Sequence, residues 1–290
     1  MEWIDQQKLT GERALFKSRD LVITNSVFAD GESPLKESRD ISIDNSIFKW
    51  KYPLWYSECI QIRNSTLMDT ARSGIWYTHH ISVHDSIIEA PKTFRRASDI
   101  HLTHVDMPNA QETLWNCREI ELKQVTAKGD YFAMNSENIR IDGLTLVGNY
   151  AFDGARNVDI RNAKLISKDA FWNCENVVVS DSHIIGEYLG WNSKNVTFRN
   201  CTIESNQGMC YMENLVIQNG VILNTDLAFE YSTIDVEAAS RIDSVKNPQA
   251  GKIKAKGIGE ILQDDKDLVH ANTNYEVGQG FGSRESRCSC

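Results

Sequence analysis

Residues 138–184 decide the fold, and they read NIRIDGLTLVGNYAFDGARNVDIRNAKLISKDAFWNCENVVVSDSHI. Asn138, Asn157 and Asn176 each open the same phrase: an asparagine, an apolar residue, any residue and a second apolar residue. Consecutive phrases begin nineteen residues apart. A fixed period near twenty is typical of a solenoid, in which each repeat forms one coil that stacks on its neighbours.

The same period extends over most of the chain. A polar residue follows each apolar-x-apolar-x phrase, at intervals of nineteen to twenty-one residues. These anchor residues are Asn25, Asn45, Asn64, Asp85, His104, Gln124, Gly143, Asn162, Asp181, Asn200 and Asn219. The positions two and four residues before each anchor are apolar, for example Ile41 and Ile43, with a polar residue between them. This alternation indicates a strand with one buried face.

Two further apolar columns complete the coil, one three residues after each anchor and one ten residues before the next. The pattern therefore predicts an all-β protein, a single-stranded right-handed parallel β-helix of about eleven coils with repeats of about 19 residues. At an inter-strand spacing of about 4.8 Å, these coils would form a rod roughly 50 Å long. Hexapeptide, pentapeptide and leucine-rich solenoids fit the inward spacings less well.

Asparagine and aspartate recur at the anchors and at the position that opens each phrase, as in Asp40, Asp99 and Asn157. Both residue types tolerate the left-handed backbone conformation, so we expect these columns at corners between walls. Stacked amides would form a hydrogen-bonded ladder along the rod.

The repeat also suggests a domain organisation. Residues 1–18 are expected to form an N-terminal cap and 19–232 the β-helix. Residues 233–270 are expected to form a C-terminal cap of irregular strands, and 271–290 a flexible tail. These divisions follow from where the phrase begins and fades.

Composition excludes several classes of partner. The formal charge of −9 argues against nucleic acid and against an anionic membrane surface. Neither a secretory signal nor an apolar run long enough to cross a bilayer is visible. Cys117 and Cys174 share one repeat position, which suits reduced, buried thiols, so we expect a cytoplasmic protein.

An aromatic strip is predicted on one wall, in two neighbouring outward columns. The first column contains Trp55, Trp76, Arg95, Trp115, Met134, Asp153, Trp172 and Trp191, and the second contains Tyr131, Tyr150, Asp169 and Tyr188. Flat rings beside hydrogen-bonding groups suit a carbohydrate or a similar small polar ligand. Trp115, Trp172, Trp191, Tyr131, Tyr150 and Tyr188 are the candidate binding residues. The alternative is that the C-terminal cap, or a second subunit in a homodimer, covers the strip.

Asp153, Asp169 and Asp130 are the candidate catalytic residues. Carboxylates on adjacent coils fall in the separation range of glycosidic acid and base pairs, and an aromatic neighbour would raise the pKa of one of them. The alternative is that Asp130 and Asp169 are solvated turn residues.

Five histidines, His79, His80, His84, His101 and His104, fall in neighbouring coils. A metal site of His84, His101 and Glu121 is chemically sensible. The spacing matches no known motif, so a metal-free surface cluster is the prediction, with no cofactor. Motifs for phosphate loops, nucleophile elbows and zinc proteases are absent from the sequence.

The phrases RDISIDNSIF, NVDIRNAKL, AFWNCENVVVSDS and YLGWNSKNVTFRNCTI and the segment SRIDSVKNPQAGKIKAKGIGEIL resemble a mainly bacterial family of unknown function. That family consists of right-handed β-helix proteins in the pectate-lyase-like fold group, often labelled hydrolases. The resemblance implies the fold for nearly the whole chain and carries no catalytic residues. Because the polygalacturonase-type aspartate arrangement is missing here, the hydrolase label rests on fold analogy.

Together these observations predict a carbohydrate-binding β-helix with a possible glycoside hydrolase activity. The alternative is a non-catalytic scaffold or interaction module whose aromatic strip is an interface.

Overall fold

The computed structural model describes residues 2–269 and 272–278. These residues form strands and turns, with one short 3-10 helix at Asp69–Ala71 and no α-helix among them. No helix in this part of the chain is long and apolar enough to cross a membrane.

The strands of the described residues, in chain order, are β1 (Glu2–Asp5), β2 (Lys8–Leu9), β3 (Arg19–Thr24), β4 (Val27–Phe28), β5 (Arg39–Asp44), β6 (Ile47–Phe48), β7 (Glu58–Arg63), β8 (Thr66–Leu67), β9 (Ile75–Trp76), β10 (His79–Ile88), β11 (Phe94–Arg95), β12 (Ser98–Met107), β13 (Arg118–Lys128), β14 (Glu137–Val147), β15 (Arg156–Arg161), β16 (Lys164–Ile166), β17 (Glu175–Ser180), β18 (His183–Ile185), β19 (Lys194–Arg199), β20 (Thr202–Glu204), β21 (Glu213–Leu223), β22 (Thr233–Lys246), β23 (Ala250–Leu262) and β24 (Thr273–Val277).

Every strand pairing between coils is parallel, and each coil pairs with the next one along the chain. Ile41 pairs with Ile60, and Ile60 with Ile81, so the inward positions stand in register. Short strands after the anchors form a second wall, and a run of turns forms the third. The predicted parallel β-solenoid with a spacing of about 19 residues is confirmed.

The solenoid has about 14 turns, so the predicted count of eleven coils is too low. Strand β1 precedes the first anchor and was missed because Glu2 occupies the position of the apolar Leu21 in the next coil. Strands β22, β23 and β24 follow the last anchor. They were missed because the spacing changes there: Val236 pairs with Ile253, seventeen residues later, and Ile253 with Tyr275, twenty-two residues later.

These additional strands lie in segments predicted as caps or tail. Residues 1–18 include β1 and β2, which pair with β3 and β4. Residues 233–270 include β22 and β23, which continue the ladder of the first wall. Within 271–290, β24 pairs with β23, and residues 279–290 lie outside the described residues.

A single apolar core runs through the coils. The predicted inward columns are buried, and their aromatic members stack on one another between coils. The rings of Phe28 and Phe48 are 4.4 Å apart and nearly parallel, and those of Phe152 and Phe171 are 5.1 Å apart. Each fully buried phenylalanine contributes about 1.5–3 kcal/mol relative to an exposed one.

Both asparagine columns adopt the left-handed conformation as predicted, with φ between 46° and 59° at their Asn and Asp members. The phrase-opening column forms an amide ladder along the rod. Asn157 Nδ2 donates to Asn138 Oδ1 at 2.9 Å, and Asn176 Nδ2 donates to Asn157 Oδ1 at 3.1 Å. The ladder continues through Asn195 to Asn214 with the same 3.0 Å contact.

Candidate functional site

The tryptophans of the aromatic strip lie half-buried on the outside of the third wall. Each indole is held by the next coil, because its N–H donates to a backbone carbonyl there. Trp115 Nε1 donates to Tyr131 O at 2.6 Å, and Trp172 Nε1 donates to Tyr188 O at 2.7 Å. The same contact at 2.7 Å fixes Trp191. The strip is therefore a rigid surface.

The strip consists of two stacks of rings. In the first, the rings of Trp55 and Trp76 lie 5.3 Å apart and 7° from parallel. The guanidinium of Arg95 is sandwiched 4.6 Å from both Trp76 and Trp115. In the second stack, the rings of Trp172 and Trp191 lie 5.8 Å apart. The ring faces within each stack cover one another, and only ring edges face outward.

Over residues 233–269 and 272–278, the C-terminal segment does not fold back over the strip. Strands β22 and β23 extend the first wall beyond it. At the far end, Tyr231 Oη, on the same wall as the strip, donates to Asp265 Oδ2 at 2.7 Å.

A break separates the two stacks. Met134 and Asp153 occupy the tryptophan column between Trp115 and Trp172, so the two rings that frame the break are three coil steps apart. At the inter-strand spacing, this separation is roughly 14 Å. On the side of the break, Trp115 contacts Tyr131 and Trp172 contacts Tyr150, each at a nearly perpendicular ring angle.

The predicted tyrosines line the same break. Tyr131 and Tyr150 stack at 4.8 Å, and each meets the neighbouring tryptophan edge-on, Trp115 at 6.1 Å and Trp172 at 6.3 Å. Tyr188 lies one coil beyond Asp169, with the Nζ of Lys168 5.1 Å from its ring centre. The six predicted binding residues are thus gathered on one wall.

Asp169 is the most buried charged side chain of the described residues, with 3% of its surface exposed. Its carboxylate accepts a hydrogen bond from the hydroxyl of Tyr150, and Lys168 stands beside it. Burial raises the pKa of Asp169, and the charges of Glu187 and Asp153 add to this effect. A raised pKa favours the role of proton donor for a carboxyl group.

The other two predicted acids differ in their surroundings. Asp153 is half-exposed, and its Oδ1 accepts a hydrogen bond from Asn173 Nδ2 at 2.9 Å. Asp153 is close enough to affect the titration of Asp169. Asp130 lies at the corner beside Gly129, where its Oδ1 accepts from the backbone N–H of Asn149 at 2.8 Å. Asp153 therefore acts electrostatically on Asp169, whereas Asp130 makes a turn-stabilising contact.

A second feature, which we call the axial groove, runs over the outer face of the first wall. Two adjoining hollows of about 590 and 570 Å³ share Asp99 and His101. Hydrogen bonds join His80 to Asp99 at 2.6 Å, Asp99 to His101 at 2.9 Å, and His101 to Glu121 at 3.0 Å.

The histidine cluster differs in detail from the sequence prediction. His101 meets Glu121 as expected for neighbouring coils, whereas His84 takes no part in the network. Within residues 2–269 and 272–278, no three histidine, cysteine or acidic side chains form a metal-binding group. Sequence reasoning missed the partnership of His80 with Asp99. The signal that could have revealed it is that a histidine, His80, stands at a phrase-opening position where most coils have asparagine or aspartate.

Comparison with solved structures found only distant likenesses. The A-module of mannuronan C-5 epimerase AlgE4 from Azotobacter vinelandii has 9% identity over 94% of this chain and 88% of its own, with a TM-score of 0.32. PfbA, a surface adhesin of Streptococcus pneumoniae, has 11% identity over 85% of this chain and 71% of its own, with a TM-score of 0.31. QnrB1, a plasmid-mediated fluoroquinolone resistance protein, has 13% identity over 77% of this chain and 89% of its own, with a TM-score of 0.26. Likeness at this level carries no inference about activity.

The search of curated proteins found no significant match. A family model, in contrast, matches residues 2–276, nearly the entire chain. The protein therefore belongs to the DUF3737 family of proteins of unknown function.

Proposed function

We propose that the protein binds a carbohydrate at the break in the aromatic strip and cleaves a glycosidic bond there. The observation that carries the proposal is the pair formed by Asp169 and Asp153. One carboxyl group is buried with a raised pKa, and the other is half-exposed beside it. Two acids whose surroundings differ in this way suit the roles of proton donor and of base or nucleophile.

The surroundings of the pair suit a sugar ring. Trp115 and Trp172 frame the break, where Met134 and Asp153 take the place of tryptophan and the tyrosines meet the two indoles edge-on. The tyrosine hydroxyls and the amide of Asn173 supply hydrogen-bonding groups beside these apolar faces. Stacking on one side and hydrogen bonding on the other is how a flat polar ring is held.

In this proposal, Asp169 donates a proton to the oxygen of the leaving sugar. The Tyr150 hydroxyl then donates a hydrogen bond that stabilises the resulting carboxylate. Asp153 attacks the anomeric carbon directly or activates a water molecule. Asp130 supports the corner that positions Tyr131.

A cytoplasmic location is part of the proposal, and its support is that the buried thiols Cys117 and Cys174 are free.

Binding is tested by tryptophan fluorescence, with soluble hexasaccharides of glucose, xylose, mannose and N-acetylglucosamine as probes. We expect saturable quenching with at least one probe and a loss of affinity of tenfold or more in Trp172→Phe. Trp76→Phe is the matched control, because its indole makes the same contact to a backbone carbonyl but both its faces are covered. Quenching by no probe, or equal effects of the two variants, would contradict the proposal.

Cleavage is tested by release of reducing ends from any probe that binds. Asp169→Asn and Asp153→Asn should each lower the rate by 100-fold or more, since general acid–base catalysis contributes about 10²- to 10⁴-fold. Asp130→Asn should leave most of the rate intact. Binding without cleavage in the wild type would retain the carbohydrate site and reject the hydrolase.

A further inference from the structure

The phrase-opening column changes character over four coils beneath the axial groove. From Asn138 onward it is an unbroken row of asparagines, but in β7, β10, β12 and β13 it holds Cys59, His80, Asp99 and Glu119. All four have φ between 52° and 56°. Cysteine is costlier than asparagine in the left-handed conformation, by about 1 kcal/mol. Left-handed residues occur throughout the solenoid, so the change of residue type, and not the backbone conformation, distinguishes this stretch.

His80 has the orientation of a general base. Its Nδ1 lies 2.6 Å from Asp99 Oδ2, and its Nε2 has no partner among the described residues. The hydrogen bond from His80 is the largest cause that lowers the pKa of Asp99, so the carboxylate stays ionised. An ionised acceptor at Nδ1 keeps the ring proton there and leaves the lone pair of Nε2 free.

Asp99 is itself fixed by the rest of the network. Its Oδ1 is 2.9 Å from His101 Nε2, and His101 Nδ1 is 3.0 Å from Glu121 Oε2. Both ring nitrogens of His101 therefore face carboxylates, and the ring serves as a support. Of the two histidines, only His80 has a nitrogen available to a ligand in the groove.

Cys59 lies directly beside His80 on the adjacent strand. The pairs Glu58 with His79 and Ile60 with Ile81 bracket the two residues, so one coil step of about 4.8 Å separates them. Burial raises the pKa of the Cys59 thiol, and Asp40, which accepts its hydrogen bond, adds to this effect. The thiol therefore stays protonated until a base removes its proton.

We propose that Cys59, His80 and Asp99 form a nucleophilic site in the axial groove, separate from the aromatic strip and independent of the carbohydrate proposal. The three residues line the same hollow of about 590 Å³. They lie on three successive coils, with the nucleophile Cys59 first, the base His80 second and the orienting acid Asp99 third. These are the groups, on adjacent strands, that activation of a thiol by a neighbouring imidazole requires.

The site suits acyl transfer from an ester or thioester. His80 Nε2 takes the proton of the thiol as Sγ attacks the carbonyl carbon. The bond to the leaving group then breaks, and the leaving group departs with the electron pair and receives the proton from His80. Water hydrolyses the resulting thioester by the same route. Since Asp40 and Asp99 line the hollow, a neutral or cationic substrate is favoured over an anionic one.

The test uses the full chain and p-nitrophenyl acetate as the probe. We expect acetylation of Cys59, detected in its peptide by mass spectrometry, at least tenfold faster than that of N-acetylcysteine at pH 7. Burial raises the pKa of the Cys117, Cys174 and Cys210 thiols, which should remain unmodified.

His80→Gln should lower the acetylation rate tenfold or more. His84→Gln, on the same strand but outside the network, is the matched control and should behave as the wild type. Asp99→Asn should also lower the acetylation rate, although it keeps both Cys59 and His80. This variant tests the proposal if His80→Gln fails to fold. Acetylation of Cys59 no faster than that of the free thiol, or equal rates in the two histidine variants, would overturn the proposal.

Discussion

The amide ladder should contribute measurably to stability, and Asn157 is the position at which this contribution can be isolated. It lies in the middle of the row, with φ of 53°, and makes one hydrogen bond as donor and one as acceptor. Asn157→Ala removes both bonds. Each is exposed and contributes about 0.5 kcal/mol, the low end for such bonds. Alanine in the left-handed conformation costs about 1 kcal/mol more. The expected loss is therefore about 2 kcal/mol.

Asn192 provides the matched control. It is exposed, with φ of 57°, and its side chain makes no hydrogen bond among the described residues. Asn192→Ala should therefore lose only the backbone contribution of about 1 kcal/mol. Asn157→Asp keeps the acceptor for Asn176 and should lose about 0.5 kcal/mol.

The measurement is urea unfolding at 25 °C, followed by far-ultraviolet circular dichroism, with the slopes of the variants compared before their midpoints. The ladder's contribution is the difference between Asn157→Ala and Asn192→Ala, about 1 kcal/mol. If Asn157→Ala is no more destabilising than Asn192→Ala, the amide ladder does not stabilise the solenoid and the reasoning is refuted.

Three further outcomes are expected. Cys59→Asn should raise the melting temperature by about 2–4 °C, because asparagine suits the left-handed conformation, and should abolish acetylation in the axial groove. Gly186→Ala should lower the free energy of unfolding by about 3 kcal/mol in a urea titration, since φ is 156° and an added Cβ would stand 2.0 Å from the backbone oxygen of Ser167. Asp169→Asn should be more stable than the wild type at pH 7, and this advantage should vanish below about pH 4. Because the pKa of Asp169 is raised, its protonated form, which suits the folded state, is lost as pH rises. If thermal melts show the same difference in melting temperature between Asp169→Asn and the wild type at every pH, the raised pKa of Asp169 is contradicted.

The period of the sequence was enough to predict the coil, the register and the buried columns. Each inward residue such as Ile60 packs against the equivalent residues of its neighbours, so one pattern repeated along the chain specifies every interface. The end coils were not predicted because the charged residue Glu2 and the seventeen-residue spacing after Val236 break that pattern.

The candidate sites were predicted less completely, for a physical reason. Column position identified which wall Trp172 and Asp169 occupy. It did not predict that the indole N–H would bind a carbonyl of the next coil, which turns the ring faces along the rod. The burial of Asp169 likewise depends on residues nineteen positions away in sequence, Tyr150 and Tyr188, whose side-chain directions are set by packing between coils.

Departures from the repeat are the strongest evidence for function in this molecule. A scaffold gains stability by continuing its asparagine and tryptophan columns, because each added member bonds or stacks with both neighbours. At Asp153 the tryptophan column is interrupted beside the most buried acid, and at Cys59 and His80 the asparagine column is interrupted beside an oriented carboxylate. Both interruptions replace the regular column contacts with hydrogen bonds to other residues, and each brings together side chains that can transfer protons. A purely structural protein would have no reason to retain either, so a variant that repairs a column should gain stability at the expense of the chemistry at that site.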